Sequence, residues 1–168
     1  ETPPAVTRSR RKKTPEESDA ADVREAAVRL LARREYAVGE LRFRLERRGF
    51  PPRTVDEVVS ALAAEGLVSD ERFAEVFVHH HVERGDGPLK VRHGLRERGV
   101  SAELIERHLP DDREVWIERA EALRQRRFGE QPPGDRREWL RQARYLQSRG
   151  YTPEQVRRVL GDAADTGA

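Results

Sequence analysis

The sequence predicts an all-α fold: an elongated array of three tandem three-helix repeats, about nine helices in all, behind a disordered N-terminal arm. Three observations predict it. The phrase "LERRGF" at 45–50 returns as "LRERGV" at 95–100 and "LQSRGY" at 146–151. No stretch alternates apolar and polar residues as a half-buried strand would, and Pro and Gly fall between segments of helical period. Charged residues make up 38% of the chain and hydrophobic ones 36%, too little apolar material for one deep core.

The repeat sets the register. Aligned on Gly49, Gly99 and Gly150, which lie 50 and 51 residues apart, the columns include Leu45, Leu95 and Leu146, then Arg48, Arg98 and Arg149. After the glycine come Phe50, Val100 and Tyr151, then Val55, Ile105 and Val156, then Val59, Leu109 and Leu160. A helix stopped by glycine in the left-handed region, with an apolar residue folded back over its last turn, explains the phrase. A period near fifty residues points to units that contact mainly their neighbours.

The elements follow in order. Residues 1–18, rich in Pro, Ser, Thr and charge, form the arm. Repeat 1 spans 19–66: a helix in "AADVREAAVRLLARR", a second ending at Gly49, and a third with Pro52 in its first turn and a stripe of Val55, Val58, Val59 and Leu62. Repeat 2 spans 67–110. "SDER" caps its first helix, on which Phe73, Val76 and Phe77 share a face, and Ser101 caps its third. Repeat 3 spans 111–161, with Trp116, Ala120 and Leu123 on one face. Its last helix starts at "TPEQ", where Thr152 is the N-cap, Pro153 takes the first helical position and Gln155 closes a capping box. Residues 162–168 are a tail.

Composition excludes several classes. There is no cysteine, hence no disulfide scaffold, thiolate metal site or cysteine nucleophile. A reducing cytoplasm is the expected compartment. No apolar run reaches the roughly 20 residues that span a bilayer, so no membrane partner is expected. His79, His80 and His81 are consecutive and project about 100° apart on a helix, so no metal site is expected. No nucleophile–base pattern, P-loop or dinucleotide turn is present. The chain therefore reads as a non-enzyme without a cofactor.

The net charge of +2 is unevenly spread. Residues 50–83 carry two basic and seven acidic groups, whereas 119–158 carry eleven basic and five acidic. Such segregation suits a partner with its own charged surfaces.

The run "LAAEGLVSDERFAEVFVHHHVERGDGPLKVRHGLRERGV", with "LARREYAVGELRFRLERRGF" before it and "YLQSRGYTPEQVRRVL" after it, resembles the RecX family of bacterial recombination regulators. The likeness covers 25–110 closely and 111–160 more loosely. Two departures stand out: Phe43 lies opposite Leu41 and Leu45, where a polar residue is expected, and "HHH" replaces basic or small residues.

The resemblance implies a protein that lodges in the groove of a RecA filament on single-stranded DNA. It would restrain ATP hydrolysis, strand exchange, filament extension and the co-protease activity that triggers the SOS response. Weak single-stranded DNA contact within the filament goes with it.

Two groups of residues are the candidate contacts. Arg84, Lys90, Arg92, Arg96 and Arg98 surround one helix, with Gly87 and Pro88 shaping its entry. Arg126, Arg127, Arg137, Arg141 and Arg144 form the second group. The plainer reading is a set of solvated faces with local ion pairs. For Arg48, Arg98 and Arg149 it is cations reaching the free carbonyls of their own helix ends. The basic arm "RSRRKK" reads either as a phosphate contact or as a solubilising tail. No heptad seam is present, so a monomer is expected. The alternative function is a direct DNA-binding helical regulator of helix-turn-helix type. Against it, "RTVDEVVSALAAEG" and "AELIERHL" are acidic or apolar where a recognition helix shows Arg, Asn or Gln.

Overall fold

The structure, a computed structural model, describes residues 20–162. The expected arm at 1–18 and the tail beyond Asp162 lie outside them. Among the described residues there are nine helices and no strand. They are α1 (Ala20–Leu31), α2 (Val38–Glu46), α3 (Pro52–Ala64), α4 (Asp70–Glu83), α5 (Pro88–Glu97), α6 (Ala102–His108), α7 (Arg113–Phe128), α8 (Arg136–Ser148) and α9 (Pro153–Leu160). They pack three by three: α1 and α2 on α3, α5 and α6 on α4 and on each other, α7 and α8 on α9.

The repeated phrase is the turn between the second and third helix of each repeat. Gly49, Gly99 and Gly150 have φ of 90°, 80° and 92°. Beyond each, the apolar residue donates its N–H to the Leu carbonyl five positions back: Phe50 to Leu45 at 3.4 Å, Val100 to Leu95 at 3.2 Å, Tyr151 to Leu146 at 3.2 Å. This closes a Schellman turn and lays the apolar side chain over the Leu of the phrase. The expected caps form. Ser69 and Ser101 accept from the N–H of Arg72 and Leu104, and Thr152 with Gln155 makes the reciprocal box.

Val55, Val58, Val59 and Leu62 are all buried, as their stripe requires. On α4 the buried face is centred on Phe73, Ala74, Val78 and Val82, with Phe77 at its margin. Val76 falls outside it and is 55% exposed. The expectation that Val76 shares the Phe73 face is thus corrected: at 100° per residue it falls past the edge of a face centred on Ala74 and Val78.

Two cores result. One fills repeat 1, from Val23 and Ala27 to Leu62, and takes in Val68 from the start of repeat 2. The other runs through repeats 2 and 3 without a break, from Phe73 to Leu160, and takes in Ala37 from repeat 1.

Each join seats the glycine turn of one repeat on the start of the second helix of the repeat before it. At the first join Gly39 faces the Arg98–Gly99 turn, and a Cβ on Gly39 would lie 3.0 Å from the Arg98 carbonyl oxygen. Val38 donates its N–H to Asp70 at 2.8 Å, and Arg72 pairs with Glu35 at 3.1 Å. At the second join Gly87 and Leu89 donate their N–H groups to the carbonyls of Arg149, at 2.6 Å, and Gly150, at 3.0 Å. At this second join two N–H donors at a helix start thus meet two acceptors at a helix end.

Candidate functional site

The residues of 84–98 are mostly committed within the protein. Gly87 and Pro88 are buried in the second join. Lys90 donates to Asp86 at 2.9 Å. Arg92 grips Glu106 with two hydrogen bonds, at 2.7 and 2.9 Å, which tie α5 to α6. Arg98 bonds the Gly94 carbonyl at 2.8 Å and lies 5.0 Å over the Phe77 ring. Arg84 lends its carbonyl to Arg149, and its guanidinium lies 3.5 Å from His80. Arg96 is exposed and makes no close ion pair among the described residues, though its charge helps hold the Glu106 carboxyl below its ordinary value.

Asp86 is the centre of this region. It is 3% exposed and receives His81 at 2.7 Å, Lys90 at 2.9 Å and Arg149 at 3.2 Å. Burial alone would raise its pKa. The hydrogen bonds from Lys90 and His81 and the charge of Arg149 outweigh it and hold the carboxyl below its ordinary value. His81 also stacks on Phe77 at 4.1 Å, which fixes it against Asp86. The carboxylate therefore clips α4, α5 and the turn of repeat 3 together.

Asp86→Asn is expected to cost about 3 kcal/mol, because it leaves cations around a buried site without their anion. A folded pKa below the ordinary 3.8 contributes stability that is complete at neutral pH and is lost as the pH falls through the folded value. Urea unfolding at neutral pH should separate wild type from D86N, and the two curves should converge in acid below about pH 3.8.

Next to this clip, Tyr151 is buried and donates its hydroxyl to the Gly85 carbonyl at 3.3 Å. Burial drives its pKa up to about 12, against the lowering charges of Arg119 and Arg149. It stays a neutral donor at any working pH.

The second group is differently placed. Arg126, Arg127, Arg137, Arg141 and Arg144 are all exposed on the end of α7 and along α8. Between them lie two aromatic rings that sequence reasoning missed. Phe128 and Tyr145 meet edge to face at 5.4 Å, with Arg127 and Arg141 guanidinium groups 6.0 and 5.1 Å from the Phe128 centroid. Arg141 also pairs with Glu138 at 3.0 Å. Arg126 turns toward the join, 3.7 Å from where a Cβ on Gly85 would stand. It thus brings the two candidate groups to a common edge.

Arg124 positions this surface and was also missed. It is 3% exposed and donates to the carbonyls of Gly129, Glu130 and Gln131 at 3.3, 3.1 and 3.0 Å, and to Glu121 at 2.8 Å. One buried guanidinium pins the loop from α7 to α8 and so sets Phe128 against Tyr145. The signal was present: Arg124 continues the spacing of Trp116 and Ala120, which puts it on the inward face.

Among the described residues no group of His, Asp and Glu converges as a metal site, and no helix is long and apolar enough to cross a membrane. The clefts are open surface grooves. That between repeats 1 and 2, of about 530 Å³, is bordered by Phe43, Arg44, Arg47, Arg48 and Arg98.

Such an array has known relatives. The family models for the first, second and third three-helix domains of RecX match residues 24–62, 69–109 and 114–160. Regulatory protein RecX of Halorhodospira halophila is 53% identical over 141 residues, covering 84% of this chain and 88% of the relative. That of Chromohalobacter salexigens is 42% identical over 143 residues, covering 85% and 93%. The crystal structure of RecX from Lactobacillus salivarius superposes with a TM-score of 0.71 at 16% identity, over 87% of this chain and 97% of that one, a likeness of fold. Three consecutive domain matches and close relatives along most of its length lead to one conclusion: the chain belongs to the RecX family of regulatory proteins.

Proposed function

We propose that this protein is a cytoplasmic, monomeric regulator that docks on the RecA filament formed on single-stranded DNA. It restrains the filament's ATPase, strand exchange, extension and co-protease activity without catalysis of its own. Family membership supports the reading. The observation that carries it is the exposed edge on repeat 3, where Arg127 and Arg141 lie over Phe128, Phe128 meets Tyr145, and Arg137 and Arg144 are exposed on the same helix as Tyr145.

Guanidinium groups interleaved with aromatic rings favour phosphate and base faces, and equally an acidic protein surface. Spread along a rigid array, modest contacts combine through effective concentration. The Asp86 clip and Arg124 keep the array rigid enough for that. Of the first candidate group, Arg96 is left for the partner, while Arg84, Gly87, Pro88, Lys90, Arg92 and Arg98 set the geometry on which it rides.

The same edge could serve free DNA, the second reading. RecA-dependent ATP hydrolysis on single-stranded DNA, titrated with this protein beside a DNA-only binding control, separates them. Loss of ATPase at concentrations too low to coat the DNA is expected. An unchanged ATPase with tight, salt-sensitive DNA binding would leave the direct DNA-binding regulator.

A further inference from the structure

The two joins share a stereochemistry, and a third copy of its turn half is unused. In each join an Arg–Gly turn closes on the start of a helix that carries a glycine next to a carboxylate. Arg98 and Gly99 meet Gly39 and Glu40; Arg149 and Gly150 meet Asp86 and Gly87. The glycine of the turn lets two backbones approach, and the arginine faces the carboxylate. At the second join the turn's carbonyls also take the free N–H groups of the helix start. This is a helix end meeting a helix beginning, with opposite dipole ends in contact.

Repeat 1 has the same turn, Arg48–Gly49–Phe50, but no repeat precedes it among the described residues. Arg48 is exposed and has no acceptor there. Among the described residues the carbonyls of Arg48 and Gly49, like those of Arg98 and Gly99 and unlike those of Arg149 and Gly150, accept no backbone hydrogen bond from another repeat. The guanidinium of Arg47, one residue earlier, lies 5.8 Å from the centre of the Phe43 ring. Phe43 itself is 58% exposed, beside the turn on the same helix face. A cation, two free carbonyls and an exposed phenyl ring therefore stand together on the rim of the cleft between repeats 1 and 2, whose lining also includes Glu97.

From this we infer that the Arg48–Gly49 turn is a docking edge for a partner protein, and that it seats the N-terminus of a helix bearing an Asp or Glu beside a small residue. The inference rests on the reading that the partner is the protein of the RecA filament. It specifies the chemistry met on that partner. A nucleic acid fits the free cations but supplies no N–H donors in a helix-start arrangement for the two carbonyls, so the edge faces protein rather than DNA.

The test uses the full chain with benzoylphenylalanine at position 48, irradiated on RecA filaments, together with ATPase titrations of Arg48→Glu and of Arg33→Glu. Arg33 is exposed on the same repeat and lies outside the edge. The expected adduct is on RecA, at a helix start beside a carboxylate. Arg48→Glu is expected to raise the half-inhibiting concentration at least tenfold while Arg33→Glu leaves it within twofold, both with the wild-type melting midpoint. An adduct on the DNA, or an Arg48→Glu variant as potent as wild type, overturns the inference and leaves the proposed function standing. A wild-type protein without effect on the ATPase overturns the proposed function, and this partner with it.

Discussion

Gly150→Ala is expected to part the second and third repeats and to destabilise the protein by about 4 kcal/mol, at the upper end for one substitution. Two costs coincide. A Cβ there would stand 2.4 Å from the Lys90 Cβ and 2.7 Å from its backbone nitrogen, and a φ of 92° strains any residue with a side chain. The helix start cannot withdraw cheaply, because Gly87 and Leu89 donate into this same turn. Gly87→Ala should act alike, since its Cβ would fall 2.5 Å from the Gly150 carbonyl carbon. Urea unfolding reads the loss, and hydrogen exchange localises it: the Gly87 and Leu89 amides should lose protection before those of α1 to α3. A Gly150→Ala protein within about 1 kcal/mol of wild type would mean that the join yields readily.

The second large effect is functional. Reversing Arg137, Arg141 and Arg144 to Glu together should weaken the restraint of RecA about 100-fold, since three exposed cations become three anions against a charged partner. Stability should hardly move. The three are exposed, and their one ion pair, Arg141 with Glu138, is a surface pair worth at most about 1 kcal/mol. ATPase titration beside a thermal melt checks both halves. Full potency in the triple variant would place the contacts elsewhere on the array.

Much of this architecture was legible in the chain because it depends on neighbours in sequence. The Leu of each phrase, its glycine and the apolar residue after it make a local turn, and Thr152 with Gln155 makes a local cap. What the residues do across a join was not legible. The arginine before each glycine has the same sequence context three times and three different surroundings. Arg98 bonds a carbonyl of its own helix, as a cation at a helix end should. Arg149 crosses to the Arg84 carbonyl and Asp86, and Arg48 lines the cleft between repeats 1 and 2 with no ion pair among the described residues.

Asp70 shows the same limit. Read as part of a capping run, it leaves the capping to Ser69 and accepts the Val38 N–H of the repeat before. The candidate surface was half visible. The arginines of repeat 3 announced themselves by charge, but Phe128 and Tyr145 meet across a loop whose carbonyls Arg124 holds from within. In the first group, the acceptors of Lys90, Arg92 and Arg98 come from the turn before the helix, the next helix and the arginine's own helix. Counting charges does not find them.

On the proposed function, this array recognises a protein filament rather than bare DNA. The most direct measurement is the equilibrium binding of fluorescently labelled protein to RecA assembled on poly(dT), beside poly(dT) alone at the same salt concentration. The account predicts binding at least tenfold tighter to the filament, and a loss of that preference in the Arg137, Arg141 and Arg144 reversal. Equal or tighter binding to bare poly(dT) would contradict it.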